Sequence, residues 1–419
     1  MPTAHWVPVV CSGYFFCMAS QRLVLVGGGH AHVEVLRRWA LKPMPAAELV
    51  VVSADLDPPY SGMIPAVIAG HVAPEVAAVD LRALAWQAKA RLLHDVVTRV
   101  DPVTRRVFRP RGEAVSYDVL SLNLGSTPAI AGIPGAAEFA LPVKPIPRFL
   151  AGVQRWEAIL AEREQTDLRI PSHPPGAPFA VVVVGAGAAG CEVLLALKYR
   201  WRNRPHVTWT LVSGDPEPLA TFPPRMRRGF RRAFFDQGVH FIGGERVTGV
   251  EAWALTLSSG LRLPHEALIL ATGAAAPGWL QNTGLELDPG GFIAVDVFLR
   301  SRSHPEVFGA GDCVTQVDDP RPKAGVFAVR QGPPLFANLV HALRREPLVA
   351  FHPQREFLAI LTTGRRHAIA TRGPFTISGE WVWRWKQRID QRWLARYHVP
   401  RAGSVPKSET RPGDSGLKR

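Results

Sequence analysis

Two glycine-rich turns set the strongest limit on what this chain can fold into. The first reads Leu23-Val24-Leu25-Val26-Gly27-Gly28-Gly29-His30-Ala31-His32. The second reads Val181-Val182-Val183-Val184-Gly185-Ala186-Gly187-Ala188-Ala189-Gly190-Cys191-Glu192. Each follows four apolar residues, as a strand buried on both faces would, and each opens a segment with helical periodicity. Glycine is needed where a strand turns sharply into a helix and the backbone must come close to a pyrophosphate. The helix N-terminus then offers free N–H groups and a positive dipole end. Two such turns in one chain point to two bound dinucleotides, most economically FAD and NAD(P)H.

The two turns are not equally complete. The second has all three glycines, Gly185, Gly187 and Gly190, whereas in the first His32 stands where a small third residue normally lets helix and strand pack closely. The acid expected about 20 residues on, at the end of the following strand, is missing from both. The run Leu49-Val50-Val51-Val52 ends in Ser53, with Asp55 and Asp57 beyond it. Thr210-Leu211-Val212 ends in Ser213, with Asp215 two residues later. The choice between NADH and NADPH therefore stays open.

At 419 residues, with 47% hydrophobic and 20% charged side chains, the chain can hold two or three well-buried cores. The longest apolar stretch, 179–197, contains Glu192 and reads as strand, turn and helix rather than a membrane span. The four cysteines, Cys11, Cys17, Cys191 and Cys313, form no Cys-x-x-Cys pair. No Cys/His spacing suggests zinc, so neither a dithiol relay nor a metal is expected. The net charge of +14 is concentrated at the end of the chain. Residues 364–419 carry thirteen Lys/Arg against four Asp/Glu. Residues 1–17 are apolar but lack a basic leader, so Met18 is the expected functional start, with a membrane-seeking extension as the alternative.

Strand and helix patterns alternate through 21–145 and again through 178–275, which predicts an α/β fold with parallel sheets. Between them, 149–164 reads as an amphipathic helix and the Pro-rich 170–178 as a connector. A further helix is expected over 325–344. Beyond it, Trp381, Trp385, Ile389, Trp393 and Tyr397 fall at successive i+4 positions beside Arg384, Arg388, Arg392 and Arg396. That pattern suits a helix lying in an anionic headgroup layer, with packing of the aromatic stripe on the protein's own core as the alternative.

Further segments carry a family resemblance. Tyr117–Ser126 and Ala267–Gly273 are apolar strands ending in polar-Gly turns, the first departing from the usual Ala-Thr-Gly as Asn123-Leu124-Gly125. Val307-Phe308-Gly309-Ala310-Gly311-Asp312 resembles a second FAD motif, and 322–332 resembles the helix start that meets the flavin's pyrimidine edge. Together these resemble the two-dinucleotide pyridine nucleotide-disulfide oxidoreductase superfamily of flavoproteins, in the branch of type II NADH dehydrogenases. Gly27–His32, 59–65 and 323–332 are most similar to the NADH-dehydrogenase-like flavoprotein found alone or fused ahead of selenide, water dikinase. In that subgroup a histidine at the third glycine position is characteristic.

The resemblance implies two Rossmann-like domains, the FAD domain split (21–145 and 288–345) around an inserted NAD(P)H domain (146–287). An N-terminal extension (1–20), an interface or membrane-surface segment (346–400) and a disordered tail (401–419) complete the chain. It implies that Gly27, Gly28, Gly29 and His30 surround the FAD pyrophosphate and that Asp312, after Gly311, binds the ribityl chain. Lys323 and Gln331 would lie by the isoalloxazine, with Ser53 and Gly125 completing the FAD contacts. Gly185, Gly187, Gly190 and Gly273 would hold NAD(P)H, with Glu192 near the nicotinamide. Glu192, Lys323 and Gln331 are the expected catalytic residues. The expected reaction passes a hydride from NAD(P)H to FAD and then electrons to a quinone, without a redox disulfide. The alternatives are reduction of a selenium or sulfur compound, or a low-turnover flavin redox sensor. The expected location is cytoplasmic, with residues 380–397 attaching to the inner membrane face. Nucleic acid is not an expected partner, and the choice between monomer and homodimer is open.

Overall fold

The computed structural model describes residues 21–166 and 178–399. The N-terminal extension with Cys11, Cys17 and Met18, most of the Pro-rich connector and the 401–419 tail lie outside the described residues. In chain order the first unit begins with β1 (Gln21–Val26), α1 (His30–Leu41), β2 (Ala47–Ser53), the short α2 (Ile64–Ile68), β3 (Arg91–His94) and β4 (Val119–Leu122). β5 (Leu141–Pro142) and α3 (Ile146–Thr166) lead into the second unit. It comprises β6 (Phe179–Val184), α4 (Ala188–Arg200), β7 (Val207–Ser213), β8 (His240–Gly243), β9 (Val247–Val250) and β10 (Ala267–Leu270). The chain then returns through β11 (Val307–Gly309) and α5 (Gly325–Arg344). It ends in an antiparallel sheet, β12 (Ala359–Thr362), β13 (Ala368–Arg372) and β14 (Phe375–Gly379), followed by α6 (Glu380–Ala395).

The units repeat one topology. The first sheet has the order β11-β4-β1-β2-β3, the second β8-β7-β6-β10-β5, and every pairing in both is parallel. In each, the strand that ends in the glycine turn lies between its flanking strands, at the switch point where α/β sheets bind ligands. Side chains alternate across the sheet, as the strand period requires. Leu23, Leu25, Leu49 and Val51 pack toward α1 and α5, while Val24, Val26, Val50 and Val52 face Ile293, Val295 and Cys313. Val181, Val183, Leu211 and Ile269 likewise face α4, with Val182, Val184, Val212 and Leu270 on the other side. Each such side chain contributes about 1.5–3 kcal/mol on burial.

The C-terminal segment ties the units together. Leu361 and Ile369 join the second unit's core, Val382 packs on Ala368 and Ala370, and Trp393 and Tyr397 enter the first unit's core. This corrects the single aromatic stripe expected from the sequence. Steps of four residues advance about 40° around a helix, so a line from Trp381 to Tyr397 turns through about 160°. Trp381 and Ile389 are exposed, while Trp393 and Tyr397 are buried. The buried line is Val382, Lys386, Asp390 and Trp393, and Arg384, Arg388, Arg392 and Arg396 are exposed. No helix among the described residues is long and apolar enough to cross a membrane.

Candidate functional site

The first turn is closed by a polar clamp. Gly27 has φ +95°, and a Cβ there would lie 2.4 Å from the Asn123 carbonyl oxygen. At Gly29 it would lie 2.2 Å from Asn123 Oδ1. The same Oδ1 accepts from the N–H groups of Ala31 (3.1 Å) and His32 (3.3 Å), and Asn123 Nδ2 donates to Ala310 O at 2.7 Å. His32 is fully buried, with Nδ1 2.7 Å from Gly27 O and Nε2 2.8 Å from Ser121 Oγ. A carbonyl can only accept, so Nδ1 carries the proton and Nε2 accepts from the Ser121 hydroxyl. Burial holds the ring neutral, its pKa pushed down to about 4. Ser53 is buried and occupied locally, donating to Asp55 O at 2.6 Å. His30 begins α1, accepts weakly from Ser61 N–H at 3.4 Å, and meets Tyr60 and Trp393, which stack with centroids 4.2 Å apart.

Gly311 and Asp312 lie beside this turn. Gly311, at φ +73°, donates its N–H to Gln331 Oε1 at 2.6 Å, so α5 is anchored to the turn before Asp312. Asp312 Oδ2 accepts from Lys144 Nζ at 2.9 Å and from Ser126 Oγ at 3.4 Å. Lys323 donates to the Val314 carbonyl and, at 2.8 Å, to Thr315 Oγ1, with its ammonium 3.9 Å from the centre of the Phe292 ring. Burial lowers its pKa from the usual lysine range. Gly311, Asp312, Lys323, Phe327 and Gln331 line one open pocket. Gly125, at φ +74°, has nothing within 4 Å of where a Cβ would stand.

The second turn uses glycine where the first uses side chains. A Cβ at Gly185 (φ +106°) would lie 2.4 Å from Ala271 O, and one at Gly190 only 1.8 Å from Gly185 O. Gly187, at the N-cap of α4, and Gly273 both face open space within 4 Å. The locked glycines bring strand and helix together, and the open ones leave the space beside the helix N-terminus free of side chains within 4 Å. This shape suits a pyrophosphate.

Glu192 lies on the buried side of α4. Its Oε1 accepts from Thr362 N–H (2.7 Å) and Thr362 Oγ1 (3.0 Å). Burial pushes its pKa up to about 6, partly opposed by Lys386 and by the bonds from Thr362. Lys386 donates to Gly62 O (2.5 Å) and Asp390 Oδ2 (2.6 Å). Glu192, Thr362, Lys386 and Asp390 thus join α4, β12, α6 and the 61–63 turn. Sequence reading missed Asn123, Ser126, Lys144, Thr362, Lys386 and Asp390 as site residues. The one signal available was the Asn-Leu-Gly departure at Asn123. Cys191 and Cys313 are buried and free, and burial raises both thiols, Cys313 to about 11. Among the described residues no cluster of His, Cys, Asp and Glu is placed to hold a metal.

A family model described as pyridine nucleotide-disulphide oxidoreductase matches residues 21–332. The chain therefore belongs to this family of NAD(P)H-dependent flavoprotein oxidoreductases, and its cofactors are FAD and NAD(P)H. It is 29% identical over 290 residues to an NADH dehydrogenase-like protein of Mycobacterium tuberculosis, covering 66% of this chain and 69% of the relative. Its fold is similar to that of NDH2 from Plasmodium falciparum solved with NADH, with TM-score 0.77 and 14% identity over 90% of this chain and 97% of that one. It is also similar to the sulfide:quinone oxidoreductase of Aquifex aeolicus, with TM-score 0.73 and 17% identity over 90% and 91%.

Proposed function

We propose that the second turn holds NAD(P)H, that the first turn with Gly311-Asp312 holds FAD, and that the electrons pass on to a quinone. The observation that carries this is the contrast within the second turn: Gly185 and Gly190 are sterically locked, while Gly187 opens onto free space at a helix N-terminus. FAD, when bound, would supply the two-electron chemistry that links hydride donation by the nicotinamide to reduction of an acceptor. The residues of this chain orient and polarise. The N–H groups of Gly28 and His30 receive the FAD pyrophosphate, those of Gly27 and Gly29 being bonded to Val52 O and Asn123 O, with Ser53 and Gly125 shaping its ribose side. Asp312 accepts from the ribityl hydroxyls, its carboxylate oriented by Lys144. Gln331 fixes the start of α5 against Gly311, and Lys323 places a cation at the isoalloxazine. Gly187, Gly190 and Gly273 border the NAD(P)H path. Glu192, which the family resemblance puts near the nicotinamide, is oriented by Thr362.

The name of the Aquifex aeolicus neighbour and the lack of a described dithiol support a quinone. Resemblance to the flavoprotein associated with selenide, water dikinase makes a selenium compound the second acceptor to try. The test is anaerobic reduction of the purified protein with NADH and NADPH, then re-oxidation by quinones, selenium and sulfur compounds. Rapid turnover with a quinone supports the reading. Fast re-oxidation by a selenium or sulfur compound alone would replace it, and one reduction without turnover would indicate a sensor.

A lipid-soluble quinone calls for a membrane-facing surface. Phe375, Ile377, Trp381 and Ile389 are exposed on β14 and α6, beside Arg384 and Arg388. Changing Phe375, Ile377 and Trp381 to serine should release the protein from anionic vesicles with its flavin retained. Unchanged sedimentation with vesicles would refute this placement.

A further inference from the structure

We propose that the pyridine-nucleotide site selects NADPH over NADH, through Arg246. This rests on the assignment of the second turn to NAD(P)H. In NADH sites a carboxylate at the end of the second strand accepts from the ribose 2′-hydroxyl, whereas an arginine nearby receives the 2′-phosphate of NADPH. Here β7 ends in Ser213, whose Oγ accepts from the Asp215 N–H at 3.1 Å. No carboxylate stands at that position.

Arg246 is held over the same strand end from the connection between β8 and β9. That connection is tied to the end of β7 by the Glu245 N–H to Ser213 O bond (2.9 Å) and to the turn after it by the Gly244 N–H to Asp215 O bond (3.1 Å). Arg246 N–H donates to Ser258 Oγ at 3.2 Å. A Cβ built on Gly214 would lie 3.4 Å from Arg246 Cγ and 3.7 Å from its Nε and Cζ. The guanidinium therefore lies against the residue that directly follows the strand, where glycine leaves room beneath it. Arg246 is exposed and makes no ion pair with any described residue. The neighbouring Glu245 is engaged elsewhere, by Ser258 Oγ (2.5 Å) and Ser259 N–H (3.1 Å). An exposed guanidinium without an ion-pair partner among the described residues, at a strand end without a carboxylate, is suited to a phosphate dianion, which it can bind in bidentate fashion. The nearby acid is Asp215, whose backbone N–H and carbonyl both serve the turn.

The test is calorimetric titration of the FAD-loaded protein with NADP+, NAD+ and 2′,5′-ADP. The wild type should bind NADP+ about tenfold or more tightly than NAD+, as one charge-assisted contact allows. Arg246→Ala should lose about tenfold or more for NADP+ and for 2′,5′-ADP, with NAD+ changed less than about twofold. Asp215→Asn should leave NAD+ affinity unchanged. Preference of the wild type for NAD+, an unchanged affinity ratio in Arg246→Ala, or loss of NAD+ binding in Asp215→Asn would each overturn the selectivity while leaving the turn assignment intact. If no pyridine nucleotide binds at all, the turn assignment and the selectivity fall together.

Discussion

The two glycine turns stand at the same place in the same sheet topology, yet they close differently. In the second, Gly190 lets α4 come so near β6 that any side chain would strike the Gly185 carbonyl. In the first, His32 fills the corresponding place, bridging Gly27 O and Ser121, while Asn123 takes two N–H groups at the start of α1. No side chain among the described residues does the same for Ala188 or Ala189 in α4. Close packing and a buried hydrogen-bonded clamp are thus two solutions to one geometric demand. The first solution tolerates no side chain, and the second depends on an uncharged histidine.

The largest expected effect comes from Gly190→Ala. Its Cβ would meet the Gly185 carbonyl, so the protein should lose about 3 kcal/mol or more, read from urea unfolding. His32→Ala should cost about 2–3 kcal/mol, because it removes both bonds of the clamp and leaves a cavity. If both substitutions were neutral, the two closures would not be structural at all. Asp312→Ala leaves the second turn untouched and should weaken FAD retention about tenfold or more, measured by the flavin-to-protein ratio after gel filtration. Retention at the wild-type level would remove Asp312 from the FAD site.

Two buried groups, His32 in the first clamp and Glu192 on α4, also predict opposite responses to pH. His32 has a folded pKa of about 4 against the usual 6.5. Between those values the unfolded chain binds a proton that the folded one refuses, so stability falls by about 3 kcal/mol as pH drops from 6.5 to 4. His30 adds a slope of the same sign. Glu192 has a folded pKa of about 6 against the usual 4.5. The folded chain keeps a proton that the unfolded one has lost, so stability falls by about 2 kcal/mol as pH rises from 4.5 to 6. Urea midpoints from pH 4 to 7 should show His32→Gln flattening the acid-side loss and Glu192→Gln flattening the opposite slope. Parallel curves for wild type and both variants would contradict these assignments. The smallest expected effect is that of replacing all four cysteines. NAD(P)H:quinone turnover should stay within about twofold, and its loss with flavin retained would point to a thiol step.

What was legible in the sequence was local. Apolar runs ending in glycines located β1 and β6 with their turns, and the helix expected over 325–344 runs from Gly325 to Arg344, through Pro333 and Pro334. The helix expected over 149–164 runs from Ile146 to Thr166. What escaped were contacts made only by folding. Lys144 meets Asp312 168 residues along the chain, and Glu192 meets Thr362 across 170. No spacing pattern encodes such pairs. Lys386 sits in a run of aromatic and basic residues read from the sequence as a membrane-surface helix, yet its ammonium is buried on Gly62 and Asp390. The aromatic stripe misled for a geometric reason, since steps of four residues do not stay on one face of a helix. Ser53 and Ser213 were recognisable as missing acids, but Arg246 beside the second strand end had no sequence signal.

The division of labour between the turns is tested most directly by Gly187→Val. The added side chain enters space with nothing within 4 Å, so the fold and the FAD should be retained. It would stand in the path of the NAD(P)H pyrophosphate. Anaerobic stopped-flow mixing with NAD(P)H should therefore show flavin reduction slowed at least about hundredfold, a barrier increase of about 3 kcal/mol, with the flavin absorbance of the resting protein unchanged. Reduction at the wild-type rate would contradict the account, because the second turn would then not be where the nicotinamide cofactor binds.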